Sequence, residues 1–165
     1  AMSENFRIRA CQHGDLPRLH AIRKAAYKPI FASFRSIVGD RIADVAIDSA
    51  ETSQGDYLDK ICARGADRDV FVVERDSTIV GFYSLGLDYE TRVGEIDLNA
   101  VDPAHQGGGI GTAMYADALA RMKAAGMKVA NVATGADDSH APARRAYEKA
   151  GFGPVLPCVY LYKEL

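Results

Sequence analysis

Between Asp102 and Thr112 the chain reads Asp-Pro-Ala-His-Gln-Gly-Gly-Gly-Ile-Gly-Thr, with four glycines in the five positions 107–111. Such a run suits neither a helix interior nor a strand; it lets the backbone turn tightly and come close to a ligand. A helix with apolar Met114, Leu119 and Met122 is expected to start at Ile110. The loop therefore ends where a helix leaves its first N–H groups unbonded and its dipole positive. That is an anion site, and a phosphate or pyrophosphate is its natural guest. Just upstream, Glu95-Ile-Asp-Leu-Asn-Ala-Val101 alternates polar and apolar residues. Period two puts Glu95, Asp97 and Asn99 on one face of an expected strand. Two carboxylates on one face suit a polar cleft, where one can take a proton from a nucleophile. They suit equally a solvated face or an internal pair with Arg.

Several chemistries lack their residues. A phosphate loop of the nucleotide hydrolases needs G-x-x-x-x-G-K-[ST], and no Lys-Ser or Lys-Thr lies near the glycines. The dinucleotide fingerprint fails as well, because Gly107-x-Gly109 leads to Thr112 and Gly109-x-Gly111 to Met114. The four histidines, His13, His20, His105 and His140, show neither H-x-x-x-H nor H-E-x-x-H spacing, so no metal site is expected. Cys11, Cys62 and Cys158 are odd in number and far apart, which suits free thiols in a reducing compartment. No G-x-S-x-G elbow for a serine hydrolase is present.

The elements that must hold these residues follow from the rest of the chain. At 165 residues, 48% apolar and 25% charged, it reads as one soluble domain spanning 1–165, with Ala1 ahead of Met2 taken as a cloning remnant. A net charge of −2 is no footprint for a phosphate backbone, so no nucleic-acid partner is expected. No apolar run nears about 18 residues, so no membrane span is expected either. Phe6–Arg9 can be a short strand. Asp15 caps a helix carrying Leu16, Leu19, Ile22 and Ala26. A second helical region carries Ile30 to Val38 and resumes after Gly39 with Ile42, Val45 and Ile47, and a weaker third runs through Tyr57 to Cys62. Val70–Glu74 and Ile79–Leu87 form a hairpin about Asp76-Ser-Thr78. The strand Glu95–Val101, the helix from Ile110 closed by Gly126, a short strand Val129–Ala133, a helix opened by Ala141 or Pro142 and closed by Gly151, and a last strand Val159–Leu165 follow. This order argues a mixed α/β fold around a partly antiparallel sheet.

Gln106-x-x-Gly109-x-Gly111 resembles the Q/R-x-x-G-x-G/A motif of the GNAT (GCN5-related) N-acetyltransferases, and Ala143-Arg-Arg-Ala-Tyr147-Glu-Lys-Ala-Gly151-Phe152 resembles that family's A-x-x-x-Y-x-x-x-G-F helix. The resemblance covers nearly the whole chain, most specifically residues 95–152. It implies the GNAT fold: a central, mostly antiparallel sheet whose fourth and fifth strands splay apart, with helices on both faces. It implies acetyl-CoA as co-substrate, its pyrophosphate cradled by Gln106, Gly107, Gly108, Gly109, Ile110, Gly111 and Thr112. Main-chain groups of Asn99, Ala100 and Val101, beside a bulge, match the family's contacts to the thioester and pantetheine. Ala143, Arg144 and Tyr147 belong to the second motif, with Arg145 and Lys149 nearby. His140 stands seven residues before Tyr147, where the family often has Asn. It either replaces that donor or merely precedes the helix at the surface.

Acetyl transfer to an amine requires the amine to be neutral and the leaving thiolate to gain a proton. With a pKa near 10.4, about one alkyl amine in 2,500 is neutral at pH 7. The family commonly uses the Tyr of the second motif as the acid, which implies that role for Tyr147; packing against the cofactor is the alternative. Glu95, eleven residues before Gln106, matches a base of the histone-acetylating members, and Asp97 shares its face. Asn131 is a lesser candidate for the same gap. The resemblance implies as acceptor an amine of a small molecule, amino acid or peptide. Tyr27, Phe31, Phe34, Arg35, Tyr160 and Tyr162 lie in the family's variable acceptor region; Asp88 and Glu90 favour a cation, Arg35 and Arg41 a carboxylate. A cytoplasmic location and a homodimer that uses the apolar last strand complete the expectation. Three other readings stay open: a non-catalytic acetyl-CoA-binding module, a transferase of another acyl group, and an unrelated phosphate-binding interaction domain.

Overall fold

The computed structural model describes residues 6–165, and Ala1 lies outside them. Five strands form one sheet in chain order: β1 (Phe6–Ala10), β2 (Asp69–Arg75), β3 (Thr78–Asp88), β4 (Val93–Val101) and β5 (Val129–Val132). Neighbours from β1 to β4 are antiparallel, whereas β4 and β5 are parallel. Parallel strands need a crossover, which α3 (Ile110–Ala124) provides.

Side chains alternate across the sheet into two cores. Val72, Phe82, Leu98 and Ala100 pack with Leu19, Ile22, Leu58 and Ile61, which belong to α1 (Leu16–Val38) and α2 (Asp40–Cys62). Val73, Tyr83, Leu85 and Ile96 pack on the opposite face with Met114, Ala118 and Met122 of α3 and Tyr147 of α4 (Ala141–Lys149). Helices therefore cover both faces, as expected. The three expected helical segments are in fact two long helices, broken only at Gly39, whose φ of +83° admits glycine most readily. Pro29 lies inside α1 and forfeits one helix bond. Buried Leu19 and Ile22 before it and the packed rings of Phe31 and Phe34 after it carry the helix through. Asp15 does not cap α1 with its side chain; its carboxylate accepts from the Gln12 N–H at 2.7 Å and from Arg9 at 2.7 Å, tying the end of β1 to the helix start.

Two irregularities of β4 shape the cleft beside it. It pairs with β5 only from Val93 to Ile96, so the two strands part from Asp97 onward. On its other side the register slips: Tyr83 faces Asn99 but Leu85 faces Ile96, so Asp97 and Leu98 together oppose Ser84. Buried Ser84 donates to the Leu98 carbonyl at 2.9 Å and satisfies the group the bulge displaces. The extra residue reverses the alternation. Ile96 faces α3, Leu98 and Ala100 face α1 and α2, and Asn99 turns to the α3–α4 side, away from the two carboxylates. The expected common face of Glu95, Asp97 and Asn99 is thereby corrected. The expected last strand is corrected too: Val159–Leu165 forms no strand and stands exposed, because a lone strand has no partner groups for its backbone.

Candidate active site

A cleft of about 880 Å³ opens where β4 leaves β5, walled by α1, the loop before α3, and α4. The loop is fixed at its start by Asp102, which accepts from the Ala104 N–H at 3.0 Å and from the Arg18 guanidinium; Arg18 also donates to the Ile79 carbonyl at 3.0 Å. Gly107 and Gly109 take φ of +87° and +74°, values that side chains rarely adopt. Gly109 is the last residue before α3, no side chain caps that helix, and the first helical bond runs from Ala113 N–H to the Gly109 carbonyl at 2.9 Å. The amides of Ile110, Gly111 and Thr112 therefore have no helical acceptor, and these residues line the cleft with Gln106, Gly107 and Gly109. A fifteen-residue helix with bare first-turn amides and a closely approaching backbone fits a pyrophosphate. Gly108 does not line the cleft; its carbonyl lies 3.5 Å from Arg75.

Tyr147 is set by the way α4 ends. Gly151, at φ +97°, donates to the Glu148 carbonyl at 3.0 Å, and the Phe152 N–H donates to the Tyr147 carbonyl at 3.1 Å. This left-handed closure swings Phe152 back over the helix, edge-on to the Tyr147 ring at 5.9 Å between centroids. The Tyr-x-x-x-Gly-Phe spacing is thus the spacing of a helix cap and its hydrophobic contact. Tyr115 packs on the other side at 4.6 Å, and Tyr147 is left only 6% exposed.

The hydroxyl of Tyr147 meets Asn99, which the bulge has turned toward it. Asn99 Nδ2 donates to the Tyr147 oxygen at 3.2 Å, while Asn99 Oδ1 accepts from the Tyr115 hydroxyl at 3.0 Å. The Asn99 carbonyl accepts from the Tyr27 hydroxyl at 3.0 Å. One residue of β4 therefore organises three tyrosines from three helices. Burial, reinforced by the neighbouring Tyr147, pushes the Tyr27 and Tyr115 hydroxyls well above the ordinary phenol range, so both stay protonated donors. Tyr147 differs from them in that its oxygen accepts here, so its own proton is not spent on Asn99.

Glu95 and Asp97 both line the cleft, on the α2 side of the bulge. Asp97 accepts a short hydrogen bond from Tyr57 and lies 3.4 Å from Arg68 Nε. Burial and that carboxylate both push the Tyr57 hydroxyl upward. Glu95 is held more loosely, 3.5 Å from Arg68, with its side chain 42% exposed against 25% for Asp97. Ala100 and Val101 line the cleft beyond them.

His140 and Ala143 line the cleft as well. His140 stacks on Phe34 at 5.6 Å, and its Nδ1 faces Asp137 at 2.6 Å. Burial would raise the Asp137 carboxyl, but hydrogen bonds from Ser139, Ser33 and His140 hold it well below the usual carboxylate range. An ionised Asp137 places the ring proton on Nδ1, which leaves Nε2 as an acceptor in the neutral ring. Arg144 is absent from the lining; it donates to the carbonyls of Gly135 at 2.6 Å and Asp137 at 2.8 Å, bracing the turn that carries His140. Asn131 is also elsewhere, in a smaller hollow of about 330 Å³ shared with Arg68 and Glu95. Of the expected acceptor residues, Tyr27 lines the cleft; Phe31 and Phe34 do not, but pack ring to ring between Tyr27 and His140, and Tyr160 and Tyr162 sit on the exposed C-terminal stretch.

Sequence reasoning missed Tyr115, Arg68, Asp137 and the hydroxyl roles of Tyr27 and Tyr57. Tyr115 did carry a signal, as a polar-tipped ring one turn after Gly111 on an apolar helix face. Arg68 lies outside any periodic element and offered none.

Residues 37–152 match the family model described as the acetyltransferase (GNAT) family. Among curated proteins, the mycothiol acetyltransferase of Streptomyces coelicolor is 34% identical over 82 residues, covering 50% of this chain and 26% of that protein. The mycothiol acetyltransferase of Sanguibacter keddieii is 33% identical over 111 residues, covering 64% of this chain and 35% of that protein. The chain thus spans about a quarter to a third of the length of these relatives. The structure of the PaiA N-acetyltransferase from Thermoplasma acidophilum, solved with coenzyme A, superposes with a TM-score of 0.68 at 18% identity and covers 90% of each chain. A GNAT-family acetyltransferase from Brucella melitensis, solved with acetyl-CoA, gives 0.61 at 20% identity, covering 93% of this chain and 92% of that one. The matched span takes in β4, the glycine loop and the Tyr147 helix, and the chain belongs to the GNAT acetyltransferase family.

Proposed function

We propose that the chain is an acetyl-CoA-dependent N-acetyltransferase that moves an acetyl group directly to a primary amine of a small molecule, amino acid or peptide. The observation that carries this reading is the accepting geometry of Tyr147, whose oxygen takes the Asn99 amide at 3.2 Å and so keeps its own proton available in the cleft. Acetyl-CoA supplies an activated thioester when bound. The bare amides of Ile110, Gly111 and Thr112 hold its pyrophosphate, and Ala100 and Val101 offer main-chain groups along the splayed end of β4. Tyr147 gives its proton to the departing sulfur. Glu95, the less restrained of the two carboxylates, takes the amine's proton directly or through water, while Asp97 stays engaged by Tyr57 and Arg68.

An amine acceptor fits a cleft whose β4 wall carries two carboxylates, and the curated relatives are named for acetylation of mycothiol. The free thiols Cys11, Cys62 and Cys158 suit a reducing, cytoplasmic setting, and among the described residues no helix is long and apolar enough to cross a membrane. Two assays test the proposal. Coenzyme A should raise the melting temperature while ATP and NAD do not. Acetyl-CoA should release free thiol when mixed with the enzyme and a broad amine panel. A coenzyme A shift with no thiol release from any amine would instead assign the chain as a binding module.

A further inference from the structure

Arg23 of α1 is only 4% exposed, the one basic residue among those described that the interior takes in. A buried cation is costly unless it is paired. Arg23 has no carboxylate within ion-pair distance among the described residues; its side chain donates only from Nη1, to the Gln54 side-chain oxygen of α2 at 3.1 Å. Nε is sealed from water without an acceptor, and Nη2 makes no hydrogen bond among the described residues either. Nε and Nη2 form one edge of the planar guanidinium, the fork that a carboxylate engages with both oxygens. The arginines nearer the surface are taken: Arg35 by Asp40, Asp44 and Asp48, Arg41 by Glu164, and Arg68 by Glu95 and Asp97.

Helix α2 is shaped around this charge. Gly55 lies in its interior, where glycine is unfavourable, and a Cβ there would stand 3.1 Å from Nη2. The charge also lies next to the cleft. Ala26 and Tyr27, three and four residues after Arg23, line it from one face of α1, and Tyr57, three residues after Gln54, lines it from α2. The fork therefore sits one helical turn behind Tyr27 and Tyr57, in the seam between the two helices. Burial raises the Tyr27 hydroxyl and the Arg23 charge partly opposes that rise, so the guanidinium is felt at the cleft wall. Tyr57 in turn donates to Asp97, and so stands between the carboxylates of β4 and this guanidinium.

We propose that the Nε–Nη2 edge of Arg23 takes the carboxylate of the acceptor, which makes that acceptor an amino acid rather than a simple amine or a diamine. The proposal rests on the acetyl-transfer reading and narrows it. The carboxylate enters the seam between Tyr27 and Tyr57, breaks no existing ion pair, and supplies the two acceptor atoms that the fork lacks. The amine end stays on the β4 wall beside Glu95. Coenzyme A does not supply this anion, because its pyrophosphate is assigned to the first turn of α3.

Thiol release from acetyl-CoA tests the proposal on matched series: amino acids, their carboxamides, and the amines left by removing the carboxyl group. A charge-assisted fork should favour the acids by about 10- to 100-fold in kcat/KM. Arg23→Met, of similar length and apolar, should raise KM for the acids far more than it lowers kcat, and bring the three series together. Should that variant not fold, Arg23→Lys keeps the charge without the fork and should lose most of the preference. A parent enzyme that turns over carboxamides or simple amines as well as the acids overturns the subsite and leaves acetyl transfer standing. A folded Arg23→Met with the parent's preference overturns it too. Silence with all three series instead fails the acetyl-transfer reading, and melting temperatures then decide the subsite. With coenzyme A present, amino acids should raise that of the parent while their carboxamides do not; equal shifts, or none, overturn it.

Discussion

Removing the side chain of Asn99 separates a positioning role from general packing. Asn99→Ala deletes the amide that donates to Tyr147 at 3.2 Å and the oxygen that accepts from Tyr115 at 3.0 Å, together with the donation to the Asp97 carbonyl at 2.9 Å. Neutral hydrogen bonds contribute about 1 kcal/mol each net, so the folded state should lose roughly 3 kcal/mol, visible by thermal denaturation. The kinetic effect is distinct. In the proposed mechanism, Asn99 keeps the Tyr147 oxygen accepting and its proton directed to the leaving sulfur, and the variant removes that donor. Positioned acids contribute about 10²- to 10⁴-fold, so Tyr147→Phe should lower kcat by that factor, or about 3 to 5 kcal/mol of barrier. Asn99→Ala should lower kcat about ten- to a hundredfold, with KM for acetyl-CoA little changed. The double variant should be no slower than Tyr147→Phe, because Asn99 acts through that hydroxyl. Single-turnover thiol release at saturating acetyl-CoA, run below the melting point of every variant, reads these rates. Losses that multiply in the double variant, or an Asn99→Ala enzyme at parental rate, would refute the reasoning.

Three further outcomes rest on the same geometry. Glu95→Gln should slow turnover most at low pH, where the acceptor ammonium is hardest to deprotonate, and a pH–rate profile identical to the parent's removes Glu95 from the mechanism. Gly151→Ala places a side chain at φ +97° and loosens the cap that aligns Tyr147, so it should cost about 1–2 kcal/mol in denaturant unfolding and lower kcat as well. Hydrogen bonds from Arg9, outweighing burial, hold the Asp15 carboxyl below its ordinary value. A depressed carboxyl stabilises the fold above its unfolded pKa of about 3.9 and loses that contribution as pH falls through its folded value. Asp15→Asn should therefore cost roughly 2 kcal/mol at pH 7 and progressively less below about pH 4, as measured by chemical denaturation across pH.

The residues that read most clearly from the sequence were those whose roles rest on local backbone geometry. Four glycines before an amphipathic helix say where bare amides gather, because only neighbours in sequence build a helix start. Gly151 and Phe152 fix the ring of Tyr147 through a cap only six residues long, which is why the motif survives as a spacing. The mixed sheet was legible for the same reason, since each strand carries its own period. Reading failed where a single residue changed the phase. The resemblance implied a bulge near this end of β4, but the slip at Asp97 and Leu98 lies opposite Ser84 of the neighbouring strand, and the period of β4 alone does not show which side chains it turns. The last strand failed differently: the composition of Val159–Leu165 is that of a strand, but no described strand lies beside it to pair with its backbone.

The sequence by itself determined the glycine loop at the start of α3, the helix that carries Tyr147 and the order of elements, because these follow from torsional freedom and short-range periodicity. Tertiary structure decided which groups face one another. It parted β4 from β5 to open the cleft, turned Asn99 away from Glu95 and Asp97 toward three tyrosines, and withdrew Arg144 to brace the turn before His140. The physical reason is register. A hydrogen-bonded ladder transmits a one-residue slip to every side chain beyond it, and only the partner strand specifies where the slip occurs.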